Sequence, residues 1–184
     1  IRISASLKKE QRSLQRANEE LHLVSAAIDN LNDMVLITDS QLGVGGPHLL
    51  FVNRAFERST GYTRREALGQ SLEMLNGANS DPYEINRIRN AMAMRQAIRA
   101  ELISYTKAGN EFWLEVDVQP IIDGHGKCTN YVAVKRDITD RKRAEFDIYR
   151  LAFFDVLTGL PNRRLLRDRL SVMLATAQRT SCFS

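Results

Sequence analysis

The sequence predicts an α+β domain. A five-stranded antiparallel sheet carries short helices on one face, with a coiled-coil helix before it and a linker helix after it. Three observations support this. The hydrophobic period is seven residues over 1–32, changes to short alternating runs over 33–139, and becomes helical again over 140–154. Glycine-rich or Asp/Asn-containing turns separate the apolar runs of the middle segment. The last three runs are joined by connections too short for anything but antiparallel neighbours.

In the first segment Leu7, Leu14, Leu21 and Ile28 recur every seven residues. Ile3, Ala17, Val24 and Leu31 form the second seam, with Glu10 as its polar member. The alternating spacing of three and four makes an a/d repeat of about four heptads. So narrow an apolar stripe is best buried against a second copy, so a parallel homodimer is expected. The alternative is a helix folded back on its own domain, and the last heptad can do so in either case.

In the middle segment, Met34 to Thr38 and Leu49 to Val52 predict two buried strands. The stretch between them holds Gly43, Gly45, Gly46 and Pro47. It lacks the Lys-Ser/Thr and helix of a phosphate loop and is expected to be a flexible turn. Asn53 opens a short helix that Gly61 ends. Thr63 and Glu66 have the spacing of a capping box. Asp81-Pro82 starts a longer helix, expected to reach about residue 97. Strands then run from Ala100 to Lys107, Glu111 to Ile121 and Cys128 to Arg136. In the second of these Phe112, Leu114, Val116 and Val118 share one face, with Glu115 and Asp117 on the other. Beyond it, Ala144, Ile148 and Leu151 form the seam of a linker helix ending near Phe154. A further helix starts at Pro161 or Asn162 and passes through Leu165, Leu166, Leu170 and Leu174.

Composition narrows the function classes. The chain has 184 residues, 43% hydrophobic and 26% charged, which is ordinary globular usage. Its net charge of +4 comes with no nucleic-acid reading element. Residues 161–184 hold five Arg and one Asp, enough to account for that excess. Cys128 and Cys182 are too few for a disulfide framework or a metal knuckle. No apolar run approaches the ~20 residues of a membrane span. A cytoplasmic segment is expected. It starts without Met, as if inside a longer protein that could be anchored upstream. No Ser/His/Asp, Cys/His or paired-carboxylate constellation marks this segment as an enzyme, and no metal site is expected.

Residues 33–139 resemble a PAS domain. The resemblance rests on Val52-Asn53-Arg54-Ala55-Phe56 followed by Thr60-Gly61-Tyr62. It continues through Tyr105-Thr106-Lys107-Ala108-Gly109 with Phe112-Trp113, and ends at Asp137-Ile138-Thr139. It implies a sensory and dimerisation module with a pocket between sheet and helices. It also implies a signal route through Asp137, Ile138 and Thr139, where the last strand turns into the linker.

Gly69-Gln70-Ser71-Leu72-Glu73-Met74-Leu75-Asn76-Gly77 is similar to the flavin-cysteine stretch of the blue-light LOV subgroup. At the positions the resemblance makes functional, the residues differ. Leu72 stands for the photoreactive cysteine and Asn76 for a glutamine. Ser104 and Leu114 stand for two asparagines, and Lys135 for the glutamine of the last strand. With Val116 these are the pocket candidates. Unmet polar atoms on a buried ring edge cost about 1–3 kcal/mol each, so the departures argue against LOV-type flavin. Haem is argued against by the absence of histidine from the helix starting at Pro82. His22, His48 and His125 lie elsewhere, and Met92 and Met94 are better explained by packing. If Lys135 points inward, the pocket favours an anionic ligand such as a carboxylate. Otherwise Lys135 pairs with an acid such as Glu73 or reaches solvent.

Residues 155–164, Asp-Val-Leu-Thr-Gly-Leu-Pro-Asn-Arg-Arg, resemble the opening of a GGDEF domain, the diguanylate cyclase module. The matching residues are Asp155, Leu157, Thr158, Gly159, Leu160, Asn162 and Arg163. The catalytic motif of that family is absent from residues 155–184, so GTP and Mg²⁺ are expected only with the remainder of such a domain. The function expected is a sensor controlling a diguanylate cyclase. The alternative is a ligand-free PAS domain serving as a dimerisation spacer or protein-interaction module in a degenerate GGDEF protein.

Overall fold

The computed structural model describes residues 2–43, 45–167, 169, 170 and 173, with backbone alone for 2–10, 12 and 13. The seam positions Ile3, Leu7 and Glu10, as side chains, lie outside the described residues, as do Leu174 and Cys182. The chain divides into two compact units, Ile1–Ile138 and Thr139–Ser184.

In the first unit α1 (Arg2–Asp29) precedes β1 (Met34–Asp39) and β2 (Leu49–Val52). Then come α2 (Arg54–Thr60), α3 (Arg64–Ala67), a 3-10 turn at Leu72–Leu75 and α4 (Pro82–Ala93). β3 (Ile98–Tyr105), β4 (Glu111–Ile122) and β5 (Cys128–Asp137) complete it. The five strands form one antiparallel sheet in the order β2-β1-β5-β4-β3. β1 is an interior strand between β2 and β5, and it is mostly buried, five of its six residues being apolar or Thr. β4 alternates as expected, with Phe112, Leu114, Val116 and Val118 buried under the helices.

The short helices form where local chemistry starts and stops them. Asn53 caps α2, and Gly61 closes it in the left-handed conformation at φ 77°. Thr63 and Glu66 make the reciprocal capping box. Asp81 caps α4 ahead of Pro82. α4 stops at Ala93, about four residues before the sequence-based expectation. Arg95 takes a left-handed φ of 56°, and the Gln96 N–H returns to the Ala91 carbonyl at 2.9 Å. That reversal releases Ile98 to start β3 two residues early.

Along α1 the seam residues Leu14, Leu21, Val24 and Leu31 are exposed. The end of the helix is tied to the domain. Asp29 Oδ1 accepts from the Arg54 N–H at 3.2 Å and the Arg64 guanidinium at 3.1 Å.

One glycine is required by close approach. A Cβ on Gly77 would run into Cδ2 and Cε2 of the Tyr105 ring. That ring cannot swing away. Its hydroxyl accepts from the Asn79 N–H at 2.9 Å and donates to Glu111 at 2.8 Å. Gly77→Ala should therefore lower stability by about 1–3 kcal/mol, the range for forced overpacking. Urea unfolding of the variant checks this.

The second unit opens with α5 (Thr139–Phe153). The Asp155 carboxylate accepts from the Thr158 N–H at 2.9 Å and its hydroxyl at 2.8 Å. These bonds hold the Asp155 carboxyl below its ordinary range. Asn162 Nδ2 donates to the Ala152 carbonyl at 2.8 Å, and its Oδ1 accepts from Arg164 and Leu165 N–H groups, capping a helix over 163–167. Gly159 adopts φ 69°, and Asp155 and Leu160 bond across the turn at 2.8 Å. The polar residues of the motif thus build its turn, whereas Leu157 is 95% exposed and Leu160 is also exposed.

Candidate ligand pocket

Strand alternation places Thr38, Leu102, Val116, Val118, Tyr131, Ala133 and Lys135 on the inner face of the sheet. Opposite them, Ile85, Ile88, Arg89 and Met92 fall on one side of α4, at the i, i+3, i+4, i+7 spacing of a helix face. Leu72 and Glu73 of the 3-10 turn and its C-cap Asn76 also line the space, with Gly46, Pro47 and Ser71. Together they enclose a mostly apolar cavity of about 100 Å³. The Tyr131 hydroxyl donates to the Met92 carbonyl and pins β5 to the end of α4. Burial pushes that phenol up to about 12.

Lys135 is the one lysine of this face. It sits directly across from Met34 on β1 and Val116 on β4, and only 6% of it is exposed. Among the described residues it has no hydrogen-bond or ion-pair partner. Burial alone lowers its ammonium to about 8. The two other outcomes expected for it do not occur. Glu73 is bonded to Arg89 at 2.6 Å, and Lys135 is buried rather than extended into solvent. A second polar atom on the same face, Ser104 Oγ, is buried without a partner.

Of the six pocket candidates, Leu72, Asn76, Val116 and Lys135 line the cavity. Ser104 and Leu114 are buried on the same sheet face but stand back from it. Leu114 lies opposite Asp137, and Ser104 and Lys135 occupy opposite diagonals from it. Ile138 is buried, and its N–H donates to the Trp113 carbonyl at 2.9 Å, extending the pairing of β5 with β4 past Asp137. Sequence reasoning missed Arg89 and Gly46. The face spacing of α4 could have indicated Arg89. Gly46 was legible only as a turn.

A PAS domain model matches residues 32–140. The chain belongs to the PAS domain family. Curated relatives of this PAS domain include the blue-light-activated histidine kinase of Brucella canis, 30% identical over 121 residues. That alignment covers 63% of this chain and 25% of the relative. The Brucella anthropi kinase is 28% identical over 66% of this chain and 24% of the relative. The chain thus spans about a quarter of the length of these relatives.

Among solved structures, an RNA-binding light-oxygen-voltage receptor superposes with a TM-score of 0.64 and 29% identity, over 71% of this chain and 36% of that one. The LOV domain of an Erythrobacter litoralis blue-light activated histidine kinase gives 0.55 and 30%, over 60% and 99%. A LOV domain described through a flavin analogue shares the fold at 0.59 and 22%, over 67% and 90%. The PAS domain here is therefore a sensory module of LOV type. Among the described residues no helix is long and apolar enough to cross a membrane.

These likenesses overturn the expectation that argued against flavin. That expectation counted the departures at Leu72, Asn76, Ser104, Leu114 and Lys135, and gave no weight to the donors that Asn76, Ser104 and Lys135 still carry. The residues present fit the polar edge of a flavin ring. Lys135 and Asn76 line the cavity, Lys135 with no acceptor among the described residues, and Ser104 Oγ is a buried donor without an acceptor set back from it. The free volume is below the ~300 Å³ at which organic-ligand sites begin. A tricyclic ring would need the side chains of the 3-10 turn and α4 to give way.

Proposed function

We propose that this PAS domain is a LOV-type sensor that holds a flavin nucleotide without a covalent bond and controls a diguanylate cyclase beginning at Asp155. The observation that carries the sensor half is the cavity with Lys135 buried and unpartnered in it. A bound flavin supplies absorption of blue light. The chain supplies the rest: Lys135 and Asn76 as donors, and apolar walls that exclude water. Leu72, standing where the resemblance puts a cysteine, offers no sulfur to the ring.

Support for the cyclase half comes from the match at Asp155, Leu157, Thr158, Gly159, Leu160, Asn162 and Arg163. Leu157 and Leu160 are exposed, as apolar residues of a docking surface are. The exposed α1 seam favours a parallel homodimer, which would bring two cyclase domains face to face. β5 carries Lys135 and ends at Asp137, and α5 starts at Thr139, so a change at the pocket has a short covalent route outward. The small free volume favours a second reading, a ligand-free dimerisation spacer.

Reconstitution with FMN tests the two. The expected result is a flavin spectrum that does not bleach to a cysteinyl adduct under blue light. Expressed with the residues that follow it, the protein should convert GTP to cyclic di-GMP at a rate that differs between light and dark. No flavin uptake together with a light-independent rate would favour the spacer.

A further inference from the structure

Lys135 lies in an environment that leaves its charge unanswered. β1 presents Met34 to it and β4 presents Val116. The charged groups lining the same cavity are Glu73 from the 3-10 turn and Arg89 from α4, and these are bonded to each other. Tyr131, two residues pairs away on β5, spends its hydroxyl on the Met92 carbonyl. A buried ammonium without a counter-ion is strongly disfavoured. It can be relieved by losing its proton or by meeting an anion brought from outside.

We infer that the pocket is selective for anions, with Lys135 Nζ as the group that holds the negatively charged edge of the bound molecule. This rests on the pocket reading above and deepens it. The ligand class is a flat, mostly apolar molecule with an anionic oxygen or ring nitrogen at one edge. An aromatic carboxylate has that chemistry. So does a flavin ring in its reduced, deprotonated form. The apolar walls take the body of such a molecule, and the ammonium on β5 takes its charge. Binding draws a proton onto Lys135, so affinity for the anion should fall as pH rises through the range where the empty-pocket amine is neutral.

The test compares wild type with Lys135→Met and Lys135→Gln in two arms. The first measures the affinity of oxidised FMN and of chemically reduced FMN. The second follows thermal shifts with benzoate, indole-3-acetate and their neutral amides. In wild type the anionic member of each pair should bind about tenfold or more tighter than the neutral one, as a charge-assisted bond implies. Both variants should lose that preference while still giving cooperative unfolding curves. A Lys135-dependent preference in either arm supports the inference. Preference in the carboxylate arm with no flavin uptake would refute the flavin reading alone. Absence of any Lys135-dependent preference in both arms overturns the inference.

Discussion

Replacing Asn53 with alanine is expected to lower the unfolding free energy of the PAS domain by about 3 kcal/mol or more. The side chain is fully buried and makes four bonds to three separate segments. Its Oδ1 accepts from the Val35 N–H of β1 at 3.0 Å and from the Phe56 N–H of α2 at 3.2 Å. Its Nδ2 donates to the carbonyls of Ile28 and Asp33, each at 3.0 Å. Alanine strands the Val35 and Phe56 N–H groups and the Asp33 carbonyl, while the Ile28 carbonyl keeps the Leu31 N–H at 3.3 Å, and a buried unsatisfied group costs about 1–3 kcal/mol. Water can reach some of them near the end of α1, which keeps the expected total below the full sum. Asn53→Asp keeps an acceptor for Val35 and Phe56 and loses both donations, so a substantial but smaller loss is expected. Urea denaturation with the slope unchanged would measure both. A loss below about 1 kcal/mol for the alanine variant would mean that α1 is not held to the domain through this residue.

The residues that build this hub were legible before any fold was known, because each acts over a few positions. Asn53 as a cap, Gly61 as a left-handed stop, the Thr63–Glu66 box and the Asp81-Pro82 start are all local devices. The inward face of β4 was legible for the same reason, since alternation is a property of the strand itself. What the residues did not disclose depends on pairing across the chain. β1 lies beside β5 through partners such as Met34 and Lys135, about a hundred positions apart, and no local pattern encodes that register. The end of α4 was misjudged because Arg95, not a glycine, takes the left-handed turn. The fate of Lys135 turned on Glu73, whose partner Arg89 comes from another element. Flavin was misjudged for a different reason: residue names differ at Leu72, Asn76, Ser104, Leu114 and Lys135, whereas a ligand answers to donors and acceptors, and asparagine, lysine and serine also donate.

Replacing Lys135 with methionine is expected to stabilise the ligand-free domain at neutral pH by roughly 2–3 kcal/mol, and the gain should vanish in alkali. Burial lowers the folded ammonium from its ordinary 10.5 to about 8. Below about 8 both folded and unfolded chains carry the proton, and the wild-type fold bears the whole burden of the buried charge. Between about 8 and 10.5 the unfolded chain holds the proton and the folded one does not. The unfolded state then binds more protons, so wild-type stability rises with pH across that window. A lag of about 2.5 pH units corresponds to roughly 3 kcal/mol. Methionine has similar length and no charge, so its unfolding free energy should lack this rise. The buried Tyr131 phenol works the other way only above its unfolded value of 10, and it is common to both proteins. Urea unfolding of wild type and Lys135→Met at pH 7, 8, 9 and 10 reads the gap directly. Curves that stay parallel would show that the folded ammonium keeps its ordinary pKa, its charge answered by water or a counter-ion. If the gap closes as expected, a charge that weakens the empty fold is kept at the centre of the pocket. A saturating anionic ligand should then raise wild-type stability and leave the methionine variant where it was.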